Sequence, residues 1–536
     1  MRNLFSARRD TESDVPDAIF GPKPYILAFS AAWASALFGY DGAFIGATIT
    51  LPAFKARYGL DEVSDDREAS LSSNIVSTFQ AGAFFGAICG FFLAERFGRK
   101  PIIILTGYVF LIGVILQMLG LSLGIFYAGR ALTGLSIGGS TTLLPIYIAE
   151  CSPALIRGRL VGITEVMIQI GLVVGFWINF GVERNISDLS DAQWRIPVAV
   201  QFIPAGMLLL SMPFLVESPR WLVSKNRIEK ARMALSWVRI LPLDHEYLNW
   251  EMDEIQGYVS REVESTGGRR GTTQLVREAA APGVRNRIVL SVMLMLLQNL
   301  SGVNGINYYS PSILKAIGFS GQSVGLLATG IYGLVKCTSA ILFIVFFIDK
   351  FGRRPALLIG AVGAMIPMFY LAGYSKLSGS FSGPVARDAG SYMTLAMIYI
   401  YAIFFGFSWN NIPWIFASEV LPNRVRTLGM MCAVCMQWLA QFLVVYSLPY
   451  MIEDIKYGTF IFFGVCIVVS FIFAYFLVPE TKGVALEDMD LMLGADAPLF
   501  AVAARKRYDA AHEAGLTTLT FQRVRKDGEV SHMEEA

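Results

Sequence analysis

Residues 95–101 read Glu-Arg-Phe-Gly-Arg-Lys-Pro, and residues 349–355 repeat this pattern as Asp-Lys-Phe-Gly-Arg-Arg-Pro. Each copy follows one apolar run and precedes another, so the repeat lies in two short polar turns between hydrophobic segments. A second landmark recurs in the same order, because Glu150 and Glu419 each have Pro three and Arg seven residues later. The chain is therefore an internal duplication of two halves.

A third pair of landmarks ends each half, with Glu-Ser-Pro-Arg at 217–220 and Pro-Glu-Thr-Lys-Gly at 479–483. Acid and base at adjoining helix ends can pair in one state of a protein and part in another. Simple basic anchors would require neither the acids nor the repeated spacing. The residues predicted to form such gates are Glu95, Arg96, Arg99, Glu150, Arg157, Glu217, Arg220, Asp349, Arg353, Arg354, Glu419, Arg426 and Glu480.

The composition indicates that the solvent of this chain is mostly lipid. Of 536 residues, 54% are apolar and 16% are charged, whereas soluble proteins carry about 25% charged residues. This balance excludes a secreted disulfide scaffold, a disordered hub and an ordinary cytosolic enzyme. The net charge of +2 lacks the basic excess of a nucleic-acid-binding protein.

Apolar runs of about 20 residues, the length that crosses a bilayer, predict twelve transmembrane helices. They are predicted at 25–47, 74–94, 101–121, 124–146, 159–181, 194–216, 287–308, 323–348, 355–376, 392–416, 428–450 and 459–478. The predicted organisation is an N-terminal segment 1–24, a six-helix bundle 25–216, a central loop 217–286, a second bundle 287–478 and a tail 479–536.

Most Lys and Arg residues fall on the side of both termini, which predicts that the two termini, the central loop and the gates are cytoplasmic. The six Cys lie in or beside apolar stretches, so disulfides are not expected. With three His, all in polar segments, the sequence predicts no metal, no organic cofactor and no enzyme.

Four ionisable residues lie inside predicted spans, namely Asp41, Arg130, Glu165 and Lys336. A charge there costs roughly 2.5–3.5 kcal/mol on insertion scales, so a functional role is the first interpretation. Two acids and two bases sum to zero, which suggests one shared cavity. Asp41 could alternate between a protonated form and a pair with Arg130, as proton coupling requires; the alternative is a static link between helices.

The chain carries a further set of motifs that together are specific. They are Gly39-Tyr40-Asp41, Pro145-Ile146-Tyr147, Arg157-Gly158, Glu217-Ser218-Pro219-Arg220, Gln298, Ser301-Gly302-Val303-Asn304, Tyr308-Tyr309, Pro413-Trp414 and Pro479-Glu480-Thr481-Lys482-Gly483. With these motifs the sequence resembles the sugar porter family of the major facilitator superfamily over about residues 25–490. Within the family it is most similar to the fungal quinate and sugar-acid permeases.

The resemblance implies an all-α membrane protein with the major facilitator fold, in which two pseudo-symmetric six-helix bundles alternate access to a central site. It also implies that the acid at Asp41 marks a proton symporter. Neutral-sugar members usually have Gln at Glu165 and Asn near Lys336, so these two residues depart from that pattern. Lys336 suits a substrate carboxylate; the alternative is that it only pairs with Glu165.

Amides and aromatic rings near these charges suit a polyol, because amides offer donors and acceptors and rings stack on the apolar face of a sugar. The predicted substrate-binding residues are Glu165, Gln169, Gln298, Asn299, Asn304, Tyr308, Lys336, Asn410, Trp414, Trp438 and Gln441.

We therefore expect a proton-coupled symporter in the plasma membrane that imports a small polyhydroxylated solute. An acidic solute such as quinate or galacturonate is favoured. The proton is the coupling ion, no cofactor is expected, and the partners are the substrate, the proton and membrane lipid, without nucleic acid. The alternatives are a proton symporter or facilitator of neutral hexoses or pentoses and, more remotely, a non-transporting nutrient sensor.

Overall fold

A computed structural model describes residues 16–153, 156–265, 272–319, 322–381, 385, 387–422, 425–484 and 488–514. Within these ranges the chain is almost entirely helical and contains no strand. Most of the predicted N-terminal segment, the end of the predicted tail and the side chain of Asp349 lie outside the description.

In the described part of the first half, nine α-helices precede the central loop. They are α1 (Pro22–Ala31), α2 (Trp33–Thr48), α3 (Pro52–Tyr58), α4 (Asp65–Phe97), α5 (Arg99–Leu119), α6 (Leu123–Cys151), α7 (Arg157–Asn185), α8 (Ala192–Val200) and α9 (Phe202–Ser211). The central loop then forms α10 (Pro219–Ser224), α11 (Ile228–Arg239), α12 (Glu246–Ser265) and α13 (Thr272–Ala279).

The second half repeats the pattern and continues into two tail helices. Its helices are α14 (Val284–Leu300), α15 (Val303–Ala316), α16 (Gln322–Leu342), α17 (Ile348–Phe351), α18 (Arg353–Ser378), α19 (Ala389–Phe407), α20 (Ile412–Val420), α21 (Arg426–Asp454), α22 (Gly458–Leu477), α23 (Met489–Leu493) and α24 (Ala501–Glu513). A π-helical segment at Phe343–Phe347 joins α16 to α17.

Among the described residues, eleven helical stretches are long and apolar enough to cross a membrane. The remaining predicted span, 25–47, corresponds to α1 and α2, which meet at Ala32 and are each too short alone. There the amide of Ser35 donates to the carbonyl of Ala32, only three residues back, which interrupts the α-helical ladder. The described spans also extend beyond the predicted bounds, because polar residues continue several helices past the apolar core.

Close helix packing in the first bundle depends on small residues, as in many membrane proteins. Side-chain-free backbone at Gly134 and Gly138 of α6 lies against the carbonyls of Phe79 and Ala83 of α4, where an added Cβ would come within 2.0 and 1.9 Å. This contact places Arg130, at the start of the same stripe, between α4 and α2.

Within the described residues the two bundles meet along four helix pairs, since α4 and α6 pack on α21, α7 on α16, and α2 on α15. At Gly46 of α2, an added Cβ would lie 2.0 Å from the carbonyl oxygen of Tyr308. The hydroxyl of Ser73 also donates to the carbonyl of Tyr446 across the interface at 2.8 Å. Both contacts lie toward the predicted outer end, away from the gates, and close that end of the interface.

Candidate functional site

A cavity lies between the two bundles, and the void between its lining atoms is about 610 Å³, including the part open to solvent. Ten of the predicted substrate-binding residues line it: Glu165, Gln169, Gln298, Asn299, Asn304, Tyr308, Lys336, Asn410, Trp414 and Gln441. Sequence reasoning did not assign Asn307 or Phe405 to the site, although both line the cavity.

Three amides form a chain along the second-bundle wall. Asn304 Nδ2 donates to Asn299 Oδ1, and Asn299 Nδ2 donates to Gln437 Oε1, each at 2.6 Å. The two bonds fix the orientation of the amides, so Asn304 keeps a free oxygen and Gln437 keeps a free amino group. The wall can therefore accept from one hydroxyl and donate to another.

Gln298, near the end of α14, holds the break between α19 and α20. Its Nε2 donates to the carbonyls of Trp409 and Asn410 at 2.7 and 3.0 Å. Unwound backbone inside a membrane protein needs such partners, and Pro413 at the start of α20 ends the possibility of a continuous helix. Gln298 Oε1 is buried without a partner in the described structure and can accept from a ligand.

Glu165 connects the bundles through amides rather than through Lys336. Its Oε1 accepts from Gln169 Nε2 of the same helix at 2.9 Å and from Asn410 Nδ2 of the other bundle at 2.5 Å. The carboxylate and the Lys336 ammonium are farther apart than 4.0 Å. A direct Glu165–Lys336 ion pair, one of the sequence interpretations, is therefore not formed in this state.

Lys336 is 3% exposed and lies on the cavity wall. Its Nζ lies 5.7 Å from the ring centroid of Phe405, a cation–π contact. No carboxylate of the described chain lies within 4.0 Å of this ammonium. Glu165 on the same wall interacts with this charge electrostatically without pairing with it directly. A buried ammonium favours a direct anionic contact, so the cavity presents a site suited to an anionic group.

Asp41 and Arg130 form an ion pair of 2.5 Å, and both side chains are fully buried. Arg130 Nε also donates to the carbonyl of Ile75, and its guanidinium lies 4.8 Å from the ring of Phe79. Asp41 Oδ2 and Arg130 Nη2 have no hydrogen-bond partner in the described residues. The pair lies behind the cavity wall. Gly39 and Gly42, which flank Asp41 in α2, belong to that wall, whereas Asp41 and Arg130 do not.

Trp438 does not line the cavity, so the prediction that it stacks on the substrate does not match its position. It is completely buried, with edge contacts to Phe38 at 5.0 Å and to Phe79 at 5.8 Å. Phe38 belongs to the cavity wall, and Phe79 contacts Arg130. The indole therefore fills the space between the wall and the buried ion pair.

The gate of the first bundle centres on Arg99, whose guanidinium pairs with Glu95 at 2.9 Å and with Glu150 at 3.2 Å. Glu217 accepts from the backbone amides of Arg99 and Lys100. Burial raises the pKa of Glu217, and hydrogen bonds from backbone amides, including that of Ser218, partly oppose the rise.

The gate of the second bundle has the same geometry, as the sequence repeat predicts. Arg353 pairs with Glu419 at 2.6 Å, and Glu480 accepts from the amides of Arg353 and Arg354. The remaining predicted gate residues lie at the same ends: Arg96 beside Phe97, Arg157 at the start of α7, Arg220 in α10 and Arg426 at the start of α21.

Two buried arginines that sequence reasoning missed hold the backbone directly after the gate glutamates. Arg239 of α11 donates to the carbonyl of Cys151 at 2.8 Å and pairs with Glu251. Arg287 of α14 donates to the carbonyl of Val420 and pairs with Asp490. Cys151 and Val420 follow Glu150 and Glu419, so each clamp fixes the backbone beside a predicted gate residue.

Sequence signals for these clamps are weak, because Arg239 and Arg287 resemble ordinary basic residues beside a membrane. Their burial, at 1% and 2% exposure, distinguishes them from surface anchors.

Two bundles around a polar, charged cavity with gates at one end define an integral membrane transporter. The family model described as "Sugar (and other) transporter" matches residues 27–493. The chain belongs to this family, the sugar porters of the major facilitator superfamily.

Similar proteins include fungal permeases. A probable quinate permease of Aspergillus fumigatus is 40% identical over 482 residues, covering 89% of this chain and 88% of that protein. The quinate permease of Emericella nidulans is 39% identical over 484 residues, covering 89% of this chain and 90% of that protein.

Solved structures of the xylose transporter XylE from E. coli share the fold. The partially occluded inward open form has a TM-score of 0.71 with 27% identity, covering 87% of this chain and all of that chain. The proton:xylose symporter XylE bound to 6-bromo-6-deoxy-D-glucose has a TM-score of 0.72 with 27% identity, covering 88% of this chain and 99% of that chain.

Proposed function

We propose that this transporter is a proton-coupled symporter that imports a small polyhydroxylated acid of the quinate or galacturonate type across the plasma membrane. The observation that carries the proposal is Lys336, a buried ammonium on the cavity wall without a carboxylate partner within 4.0 Å. An acid substrate supplies the missing anion and can form a charge-assisted hydrogen bond.

The rest of the wall suits the hydroxyl groups of such a substrate. Gln298 Oε1 and Gln169 Oε1 are buried acceptors without partners in the described residues. Gln437 offers an amino group whose orientation is fixed by Asn299. These neutral groups match a ring with several hydroxyls, because each hydroxyl both donates and accepts.

Asp41 is the proposed proton carrier. Protonation of its carboxyl would break the ion pair with Arg130, and deprotonation would restore it. The charge of Asp41 therefore differs between the two states, which is what proton coupling requires. A carboxylate substrate that enters with one proton carries no net charge across the membrane, so the pH difference drives accumulation, at about 1.4 kcal/mol, or roughly tenfold, per pH unit. Similar proteins support this proposal, since one is a quinate permease and another a proton:xylose symporter.

A second candidate is transport of neutral hexoses or pentoses, with or without a proton. The amides along the wall favour it, as does the likeness to XylE. In that case Lys336 would bind only ring hydroxyls. A non-transporting sensor remains the more remote alternative, and measurable uptake separates it from both.

The test is uptake of labelled quinate, galacturonate, xylose and glucose into a transporter-deficient host at two pH values, with and without a protonophore. We expect the acids to accumulate above their external concentration, faster at the lower pH, and the protonophore to abolish accumulation. Uptake of neutral sugars alone would contradict the acid assignment. Equal uptake with and without the protonophore would contradict proton coupling.

A further inference from the structure

We propose that Asn307 is a specificity-determining residue that binds the substrate carboxylate together with Lys336. The inference rests on the proposed function. It extends the carboxylate-binding site from one donor, Lys336, to two donors, Lys336 and Asn307. Asn307 belongs to α15, is 8% exposed and lines the cavity.

The hydroxyl of Tyr332 fixes the Asn307 amide. Tyr332 Oη donates to Asn307 Oδ1 at 3.1 Å, and this is the only hydrogen bond of the Asn307 side chain within the described residues. Since the oxygen is occupied, the amino group is the part left for a ligand. Tyr332 is 1% exposed, so its ring has little freedom to move away.

Tyr332 also relates Asn307 to Lys336. The two residues of α16 are four positions apart and therefore lie on the same helix face. Lys336 lines the cavity on this face, and Tyr332 contacts Asn307 from it. The fixed amide donor is thus linked through Tyr332 to the helix face that carries the ammonium, and both Asn307 and Lys336 line the same cavity.

Three groups of the polar wall are unsuited to a carboxylate, which has only acceptor atoms when ionised. Glu165 carries an acidic group, and the free atoms of Gln169 and Gln298 are oxygens. These groups would repel a carboxylate but accept from hydroxyls. The distribution of donors and acceptors therefore directs the acid end of a substrate toward Lys336 and Asn307, and its hydroxyls toward the glutamines.

The experiment compares quinate with quinic acid amide, which keeps the ring and hydroxyls but lacks the charge. Half-saturation for both is measured by uptake and competition in the transporter-deficient host, using the full chain. For Asn307→Ala we expect a rise of about tenfold or more for quinate, the usual effect of a lost hydrogen bond to a charged group, and a rise of less than about threefold for the amide.

Tyr332→Phe keeps the ring and removes only the hydroxyl that orients the amide. We expect a smaller, quinate-selective rise for this variant. Asn307→Ala combined with Lys336→Gln should cost less than the two separate effects together, because both donors bind one carboxylate.

Asn179→Ala is the matched control. Asn179 is a buried amide of α7 that bonds to the Phe44 and Gly175 carbonyls, outside the cavity lining. Its removal tests for general damage and should affect quinate and the amide alike. Surface expression of every variant is measured in parallel.

Two failures are distinguishable. If the wild type carries quinate, but Asn307→Ala weakens quinate and the amide equally, the role of Asn307 is overturned and the proposed function stands. If the wild type carries neither quinate nor galacturonate, both proposals are overturned.

Discussion

Arg130 and Asp41 form a fully buried ion pair that the substrate cavity does not reach. The cavity instead touches Gly39 and Gly42, the residues on either side in the same helix. A bound substrate would therefore act on the pair by moving the backbone of α2 or the aromatic packing around it. The proposed proton site and the proposed substrate site are thus adjacent layers, which suits coupling without direct competition.

Asp41→Asn is expected to abolish concentrative uptake while exchange of substrate across the membrane continues in part. Asn keeps the size and hydrogen bonding of Asp but cannot carry a proton at physiological pH. The accumulation ratio, measured with labelled substrate at steady state, should fall to about one for a neutral substrate, and below one for an anion that enters without a proton against the membrane potential. Undiminished accumulation against a gradient would refute the proton-site assignment.

Lys336→Gln is expected to raise the half-saturation for an acid substrate strongly and that for a carried neutral sugar little. Loss of one partner of a buried charge pair costs roughly 2–5 kcal/mol. Lys336→Arg is the matched control, because it keeps the cation and should retain a preference for acids. Equal loss of acid and neutral substrates in Lys336→Gln would show that Lys336 is structural.

Glu150→Gln is expected to shift the resting population toward the inward-facing state, because Arg99 loses one of its two acidic partners. The readout is labelling of a reporter at Ser418, half-buried in α20, in a background without native Cys. Labelling should increase. Glu62→Gln, an exposed change toward the outer end, serves as the control, and unchanged labelling in Glu150→Gln would count against the gate.

Gly46→Ala is expected to shift the same reporter in the opposite direction. The new Cβ would lie 2.0 Å from the Tyr308 carbonyl, so α2 and α15 could not close the outer end. Each bundle should still fold, since the clash lies between them. Gly181→Ala, with no atom within 4 Å of the new Cβ, is the control; equal labelling in both variants would contradict this account of closure.

Much of the architecture could be predicted because the membrane interior strongly penalises unpaired charges and so limits where ionisable residues can lie. Isolated charges in apolar runs have few ways to offset their burial, which favours the pairing of Asp41 with Arg130 that the structure contains. The repeat likewise predicts that Arg353 meets Glu419 if Arg99 meets Glu150, and the described geometry agrees.

Contacts that depend on competition between similar partners could not be predicted. Glu165 could pair with Lys336 or accept from amides, and only the placement of Gln169 and Asn410 decides. Trp438 has an indole ring of the kind that stacks on sugars. Its position on the face of α21 places that ring behind Phe38 and not in the cavity. Sequence periodicity locates helix faces to within a turn, which is too coarse to separate two adjoining layers.

The two clamp arginines meet their partners at different stages of synthesis. Arg239 and Glu251 are 12 residues apart and both follow Cys151, so the first gate can be complete before the second bundle leaves the ribosome. Arg287 begins the second bundle, whereas Asp490 follows 203 residues later. Domains fold in order during translation, so the second clamp forms only once the tail has been synthesised. A chain arrested before Asp490 would have the Arg239–Glu251 pair but not the Arg287–Asp490 pair.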